Sequence, residues 1–357
     1  MKILTILGAR PQFIKAGSLS REIAKHSEIQ EIIIHTGQHY DENMSDIFFD
    51  EMKIPKPDYF LGVGGKSHGE MTGQMMAKIE EITINQNPDY ILVYGDTNST
   101  LAGALVATKL HIKLAHVEAG LRSFNMKMPE EINRILTDRI SNILFCPTKT
   151  AVKNLQNEAF PFFAGEFKQE ICNVGDIMQD GAIFYSNFAK KPSFKIDESY
   201  LLCTIHRAEN TDDISRLSGI ITALNQLSQN RQIILPIHPR TKKILESSNI
   251  KIAPNLLIIP PVGYLEMVWL IANSKLILSD SGGLQKEAYF FHKNCIVLRD
   301  ETEWVELVKS KFNVIGGTNS QNILNLYENF NFNKDFSVNL YGDGNTAKAI
   351  VEKLLAY

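Results

Sequence analysis

Short apolar runs recur along this chain, separated by longer stretches in which apolar positions return every three or four residues. The runs suit strands buried on both faces, and the stretches suit amphipathic helices, so the alternation predicts an α/β protein with parallel sheets and crossover helices. In the first half the pattern predicts strands at 3–7, 31–35, 90–94, 114–117 and 143–146. Helices are predicted at about 70–86, stopped by Asn87-Pro88, at 98–109, and at 129–141. Pro129 suits a first helical position, and Glu130 and Glu131 complement the positive end of the helix dipole.

The rhythm breaks after Leu155, where Phe160-Pro161-Phe162-Phe163-Ala164-Gly165 reads as a loop, and it resumes with strands at 201–204, 232–235, 256–259, 276–279 and 295–298. This predicts two doubly wound domains, 1–170 and 171–344, with a hinge around 165–185. A last helix at about 345–356 follows the turn Gly342-Asp343-Gly344. Sheets of this kind bind ligands at the carboxyl ends of their strands, and two facing domains would enclose a cleft there. The 357 residues are enough for two such cores.

The formal net charge of −3 gives no electrostatic case for nucleic acid or an anionic membrane. Cys146, Cys172, Cys203 and Cys295 show no zinc-like spacing, so small buried thiols in a reducing compartment are expected. The apolar stretch before Arg10 is too short for a signal peptide or a membrane span. It reads as a first strand, and the cytoplasm is the expected location.

Candidate chemistry collects at predicted strand ends. After the first strand comes Gly8-Ala9-Arg10-Pro11-Gln12-Phe13-Ile14-Lys15, where a dinucleotide enzyme needs G-x-G-x-x-G; its absence disfavours NAD. Arg10 and Lys15 are either solvated turn charges or ligand contacts. Tyr94-Gly95-Asp96-Thr97-Asn98 ends a strand and opens a helix, and Asp96 is a cap or a functional acid. Glu118, in His116-Val117-Glu118-Ala119-Gly120, ends the next strand, where a carboxylate has no packing role. With Glu130 and Glu131 these form three acidic sites at neighbouring strand ends, the pattern of paired acid/base machinery. In the second half, His206-Arg207 and Pro236-Ile237-His238-Pro239-Arg240 follow strands and suit an anion or proton transfer. Ser279-Asp280-Ser281-Gly282-Gly283 opens a helix, so Ser281, Gly282 and Gly283 present backbone N–H groups to an anion, with Glu287 one turn later for ribose hydroxyls. The bland alternative is a capped, glycine-containing turn.

Together these segments resemble the non-hydrolysing UDP-N-acetylglucosamine 2-epimerases along nearly the whole chain. The resemblance rests on Gly8-Ala9-Arg10-Pro11 with Lys15, Gly37-Gln38-His39, Gly95-Asp96-Thr97, His116 to Arg122, Pro129-Glu130-Glu131 and Asn133-Arg134. It continues through His206-Arg207, Asp280-Ser281-Gly282-Gly283 with Gln285 and Glu287, and Tyr341-Gly342-Asp343-Gly344. Two departures, Gly8-Ala9-Arg10-Pro11-Gln12 where the family typically has G-T-R-P-E and Thr302-Glu303-Trp304-Val305-Glu306 where it has T-E-R-P-E, are similar to the branch acting on UDP-2,3-diacetamido-2,3-dideoxy-glucuronic acid in surface-polysaccharide synthesis.

The resemblance implies a GT-B-like pair of Rossmann-type domains, a homodimer, and a last helix packed back on the first domain. It implies C2 epimerisation of a UDP-N-acetylhexosamine, with no cofactor and no metal. Asp96, Glu118 and Glu130 would be the acid/base set. His206 and Arg10 would lie by the diphosphate and the glycosidic oxygen. Lys15, Arg134, Arg207 and His238 match further substrate-binding positions. Ser281, Gly282 and Gly283 would hold phosphates, and Glu287 the ribose. Gln38, His39 and His238 resemble positions tied to a second UDP-sugar site in some members. A GT-B glycosyltransferase is the rival in another mechanism class, and a non-catalytic UDP-sugar sensor is poor in view of three acidic strand ends.

Overall fold

The computed structural model describes residues 1–38, 49, 52–248 and 250–357. Its chain divides into one compact unit of Met1–Gly181 with Leu340–Tyr357, and a second of Ala182–Asn339.

In the first unit, the strands are β1 (Lys2–Leu7), β2 (Gln30–His35), β3 (Tyr59–Phe60), β4 (Tyr90–Tyr94), β5 (Lys113–Val117) and β6 (Ile143–Cys146), then a small hairpin of β7 (Phe163–Ala164) and β8 (Phe167–Lys168), and β9 (Glu170–Asn173). Seven of them form one sheet in the order β3-β2-β1-β4-β5-β6-β9, with every pairing parallel. Helices cover both faces, which is why β4 and β6 are apolar and buried along their whole length. Ile6, Val93 and Leu114 pack with Met75 and Ile79 of the His68–Gln86 helix in one core layer.

The second unit repeats the plan. Its strands β10 (Tyr200–Thr204), β11 (Gln232–Pro236), β12 (Leu256–Ile259), β13 (Ile277–Ser279), β14 (Cys295–Val297) and β15 (Asn313–Ile315) lie in the order β12-β11-β10-β13-β14-β15. Each sheet therefore reverses direction beside its first strand, between β1 and β4 and between β10 and β13. A crevice for a ligand is expected at the carboxyl ends there.

The sequence places the end of the first domain at residue 170, whereas the first unit runs on to Gly181. The cause is β9, which pairs with β6 and adds a strand to the first sheet. Three of its four residues are only partly buried and Asn173 is exposed, so no apolar run announces it. The two-residue β3 and the three-residue β15 escaped the pattern for the same reason. The last helix, Thr346–Ala356, belongs to the first unit. Asn345 gives it no side-chain cap; the Asp180 carboxylate accepts instead from the Thr346 and Ala347 amides at 3.2 and 2.8 Å. Among the described residues, no helix is long and apolar enough to cross a membrane.

Candidate active site

In the first unit the site begins with register. Tyr94 pairs with Val117, so the loops after β4 and β5 leave the sheet side by side, one carrying Asp96 and the other Glu118. Gly95 sits at φ +63° and Gly120 at +78°, which glycine adopts freely, but Glu118 sits at +74°. A non-glycine residue held there stores strain, a feature concentrated at functional sites. At Gly95 the backbone conformation is the reason and not space, since a Cβ on it would make only ordinary contact, 3.4 Å from Glu118 Oε2.

Each carboxylate has a cation. Lys15, on the second turn of the Arg10–Ile23 helix, pairs with Glu118, both largely buried. Arg134 donates to Asp96 at 2.5 Å and to Glu131 at 3.1 Å. Burial pushes the Asp96 carboxyl above its ordinary value; the Arg134 charge pulls it down, and the neighbouring Glu118 charge adds to the rise. Asn133 supports the same loop, donating to the Asp96 carbonyl at 2.9 Å.

The two glutamates of the Pro129–Ile140 helix part company. Glu130 is exposed in the first turn. Glu131 is buried and accepts from the Ser123 amide at 2.9 Å and the Phe124 amide at 2.8 Å, which pins the loop before the helix.

Gln12 closes the other side. Its Oε1 accepts from the Gly8 and Ala9 amides at 2.7 and 3.1 Å, while its Nε2 donates to the Tyr94 carbonyl at 2.7 Å. A glutamate here would set a carboxylate oxygen against that carbonyl, so the amide fits the observed local bonds. Gln38 accepts from the Ser99 amide at 2.9 Å, at the start of the Asn98–Lys109 helix. His39 and the Arg10 side chain lie outside the described residues.

In the second unit the organiser is Asp280, fully buried after β13. It accepts from the His206 and Arg207 amides at 3.1 and 3.0 Å, from Asn210 Nδ2 at 3.1 Å, and meets His206 Nδ1 at 3.1 Å. Burial raises its carboxyl, but the hydrogen bond and charge of His206, with the bonds from the Arg207 amide and Asn210, together hold it below the ordinary value. The His206 side chain is 55% exposed, so with Nδ1 held, Nε2 is available to a ligand.

Beside it, Thr204 and Ser279 are register partners whose hydroxyls meet at 2.7 Å, and Ser281 caps the Gly282–Phe290 helix. Neither Gly282 nor Gly283 has positive φ. Gly282 is closely covered: a Cβ on it would lie 2.7 Å from Glu303 Oε1 and would push that carboxylate aside. Gly283 faces open space, where the nearest atom to a Cβ is Ser281 Oγ at 4.0 Å. First-turn amides with an open approach can hold an anion.

Glu287, one turn on, is buried and accepts from Tyr264 Oη at 2.8 Å. Burial raises its carboxyl to about 7, with the Tyr264 bond and the Lys286 charge opposing. Arg207 lies 3.9 Å from Glu303, which Arg299 holds at 2.9 Å. His238 caps the Pro239–Ser247 helix, accepting from the Arg240 amide at 3.2 Å. Sequence reasoning missed Tyr264, Arg299 and the Gln12 bridge. Their only signals were polar residues beside glycine or strand ends, too common to single out.

The sequence profile described as UDP-N-acetylglucosamine 2-epimerase matches residues 21–355. The chain is 56% identical over 319 residues to the UDP-2,3-diacetamido-2,3-dideoxy-D-glucuronate 2-epimerase of Pseudomonas aeruginosa, covering 89% of this chain and 88% of that one. Among solved structures it is similar to Methanocaldococcus jannaschii UDP-GlcNAc 2-epimerase in complex with UDP-GlcNAc and UDP, with 42% identity, full coverage of both chains and a TM-score of 0.88. It is also similar to the Neisseria meningitidis enzyme bound to UDP-GlcNAc, with 32% identity, full coverage of both chains and a TM-score of 0.86. The two Rossmann-type sheets are those of a GT-B-like fold, and the chain belongs to the UDP-N-acetylglucosamine 2-epimerase family, as an isomerase of UDP-sugars.

Proposed function

We propose that this protein inverts C2 of a UDP-linked N-acetylhexosamine by eliminating UDP and adding it back. The carrying observation is the Asp96 and Glu118 pair, two carboxylates at the ends of neighbouring strands, each with its own cation. The C2 proton is not next to a carbonyl and is too weakly acidic to be taken directly. If the C1–O bond breaks as a carboxylate removes that proton, the electron pair of C2–H becomes the C1–C2 double bond. UDP then departs with the C1–O pair, leaving a 2-acetamidoglucal. Return of UDP to C1, with a proton delivered to the opposite face of C2, gives the epimer.

In this proposal Asp96, Glu118 and Glu130 form the acid/base set. Burial raises the Asp96 carboxyl above its ordinary value, the direction that suits a group that must take up and return a proton. Arg10, Lys15 and Arg134 serve the substrate side. His206 and Arg207 stabilise the departing diphosphate, Ser281, Gly282 and Gly283 hold phosphate oxygens, and Glu287 takes the ribose. No cofactor or metal enters the scheme. A second UDP-sugar site involving His238 is not part of it.

The substrate we favour is UDP-2,3-diacetamido-2,3-dideoxy-glucuronate, made for surface polysaccharide such as lipopolysaccharide; the 56% identity to an enzyme of that name supports it. UDP-N-acetylglucosamine is the second candidate, supported by the Methanocaldococcus relative. Proton NMR of both sugars with the purified enzyme decides between them: a kcat/KM ratio favouring UDP-N-acetylglucosamine overturns the first choice. We also propose a cytoplasmic homodimer. Ile132 and Leu136 lie four residues apart on one helix, 41% and 46% exposed, with Phe124 and Met126 exposed in the loop before it, an apolar patch that suits a protein contact.

A further inference from the structure

Beneath the two acidic loops of the first unit lies a charged cluster that the proposed chemistry does not use. His116, on β5, is fully buried. Its Nδ1 meets Asp138 Oδ1 at 2.7 Å, and its Nε2 meets the Gly95 carbonyl at 2.7 Å. Asp138, also fully buried, accepts at its other oxygen from the Gly120 amide at 3.1 Å and from Arg122 Nη1 at 2.7 Å. Arg122 in turn grips Glu158 with two bonds, at 2.7 and 2.8 Å.

A neutral imidazole offers one N–H and one lone pair. Here both ring nitrogens face acceptors, a backbone carbonyl and a carboxylate oxygen. A neutral ring facing an ionised Asp138 would press a lone pair against one of them at hydrogen-bond distance. Moving the proton to Asp138 would strip the negative charge from a group that already receives the Arg122 guanidinium and a backbone amide. Burial raises the Asp138 carboxyl, but His116 and Arg122 outweigh it and hold it low. His35 in the same sheet is the contrast: its Nδ1 accepts from the Gly37 amide at 2.9 Å, so that ring is neutral, and burial holds its pKa at about 4. With both protons on His116, the cluster of His116, Asp138, Arg122 and Glu158 sums to zero charge, which is what makes burying it tolerable.

We infer that His116 is a doubly protonated positioning residue that straps the loop carrying Asp96 to the loop carrying Glu118. Gly95 immediately precedes Asp96, and Gly120 lies two residues past Glu118. The chain from the Gly95 carbonyl through His116 and Asp138 to the Gly120 amide therefore fixes the spacing of the two carboxylates from below. The inference rests on the proposed acid/base roles of that pair. A displacement of about 1 Å at reacting groups can cost about 10²-fold in rate, so a strap of this kind acts on kcat.

The test uses the full-length enzyme labelled with 15N-histidine. Multiple-bond 1H–15N spectra, assigned with His116→Gln, should show both His116 ring nitrogens protonated in the wild type; a single pyridine-type nitrogen would overturn the charge assignment. His116→Phe should lower kcat about 10²-fold with KM and UDP affinity unchanged. His116→Gln, which keeps an N–H for the Gly95 carbonyl, should recover part of the loss. Undiminished kcat in His116→Phe, or equal loss of kcat, UDP binding and melting temperature in both variants, would overturn the positioning role. If the wild type itself exchanges no C2 proton with solvent, the activity proposal fails instead, while the ring's protonation state remains readable.

Discussion

The two units share one strand order, yet their switch points are furnished in opposite ways. After β4 and β5, the first unit displays carboxylates and cations on side chains, with Glu118 forced to a positive φ to aim one of them. After β10 and β13, the second unit turns one carboxylate, Asp280, inward to tie its loops and leaves the first helical turn open at Gly283. Side-chain carboxyls can gain and lose a proton, whereas backbone dipoles cannot. The same scaffold thus separates a region whose carboxyls suit proton chemistry from one suited chiefly to holding charge. Glu287 is the exception in the second unit, a carboxyl raised to about 7 in a region otherwise suited to binding.

The sharpest way to break this contrast is at the carboxylate pair. Asp96→Asn and Glu118→Gln should each lower kcat about 10²–10⁴-fold, the usual worth of an acid/base group, and should slow deuterium entry at C2 in D2O equally. UDP affinity by calorimetry should hold, and its collapse in either variant would show that the first unit binds nucleotide as well.

Next in size is a pH effect on stability. Glu287 keeps its proton in the folded enzyme up to about 7, against an ordinary value of 4.5. Folding is therefore favoured by the bound proton below 4.5, and that advantage is lost as pH rises toward 7. At 1.36 kcal/mol per unit, nucleotide-free Glu287→Gln should gain about 3 kcal/mol relative to wild type across that window. Urea unfolding at the two ends of the window measures it, and a pH-independent difference would place the Glu287 carboxyl at its ordinary value.

Glu287→Ala sharpens the other side. A hydrogen bond to a charged group contributes about 1.5–3 kcal/mol, so UDP should bind roughly 10- to 150-fold more weakly. The kcat at saturating substrate should change far less, the reverse of the carboxylate variants. Since ribose hydroxyls favour the ionised form, wild-type UDP affinity should also rise with pH up to about 7, visible as proton uptake or release in calorimetry with two buffers. Smallest of all, Ser281→Ala should cost about 1 kcal/mol of stability through the lost cap, at 3.4 Å a long one, with a modest loss of UDP affinity. A thermal melt and one titration suffice, and an effect larger than that of Glu287→Ala would relocate the main nucleotide contact to the turn.

Much of this was legible in the sequence because its causes are local. The long apolar runs of β1, β4, β5, β10 and β11, and the periodic helices between them, follow from spacing within a few residues. The candidate residues stood out because each follows a strand, and ligands of such sheets collect where strands end. Short edge strands such as β3, β9 and β15 were not legible, since they exist only through pairing with a neighbour that has already formed.

The sequence alone determined which residue types stand at the strand ends, and hence the kind of chemistry available. Only the tertiary structure decided their states and partners. Lys15 meets Glu118 across 103 residues of chain, and Arg134 meets Asp96 across 38. Glu131 became a buried loop clamp while adjacent Glu130 stayed exposed, a choice made by the helix face that packs. Whether a histidine is neutral like His35 or charged like His116 depends on whether its ring meets a donor or acceptors: His35 meets the amide of Gly37 two residues on, whereas the acceptors of His116 arrive from the loop after β4 and from the Pro129–Ile140 helix. Burial and long-range pairing set charge, and neither is written in the spacing of neighbouring residues.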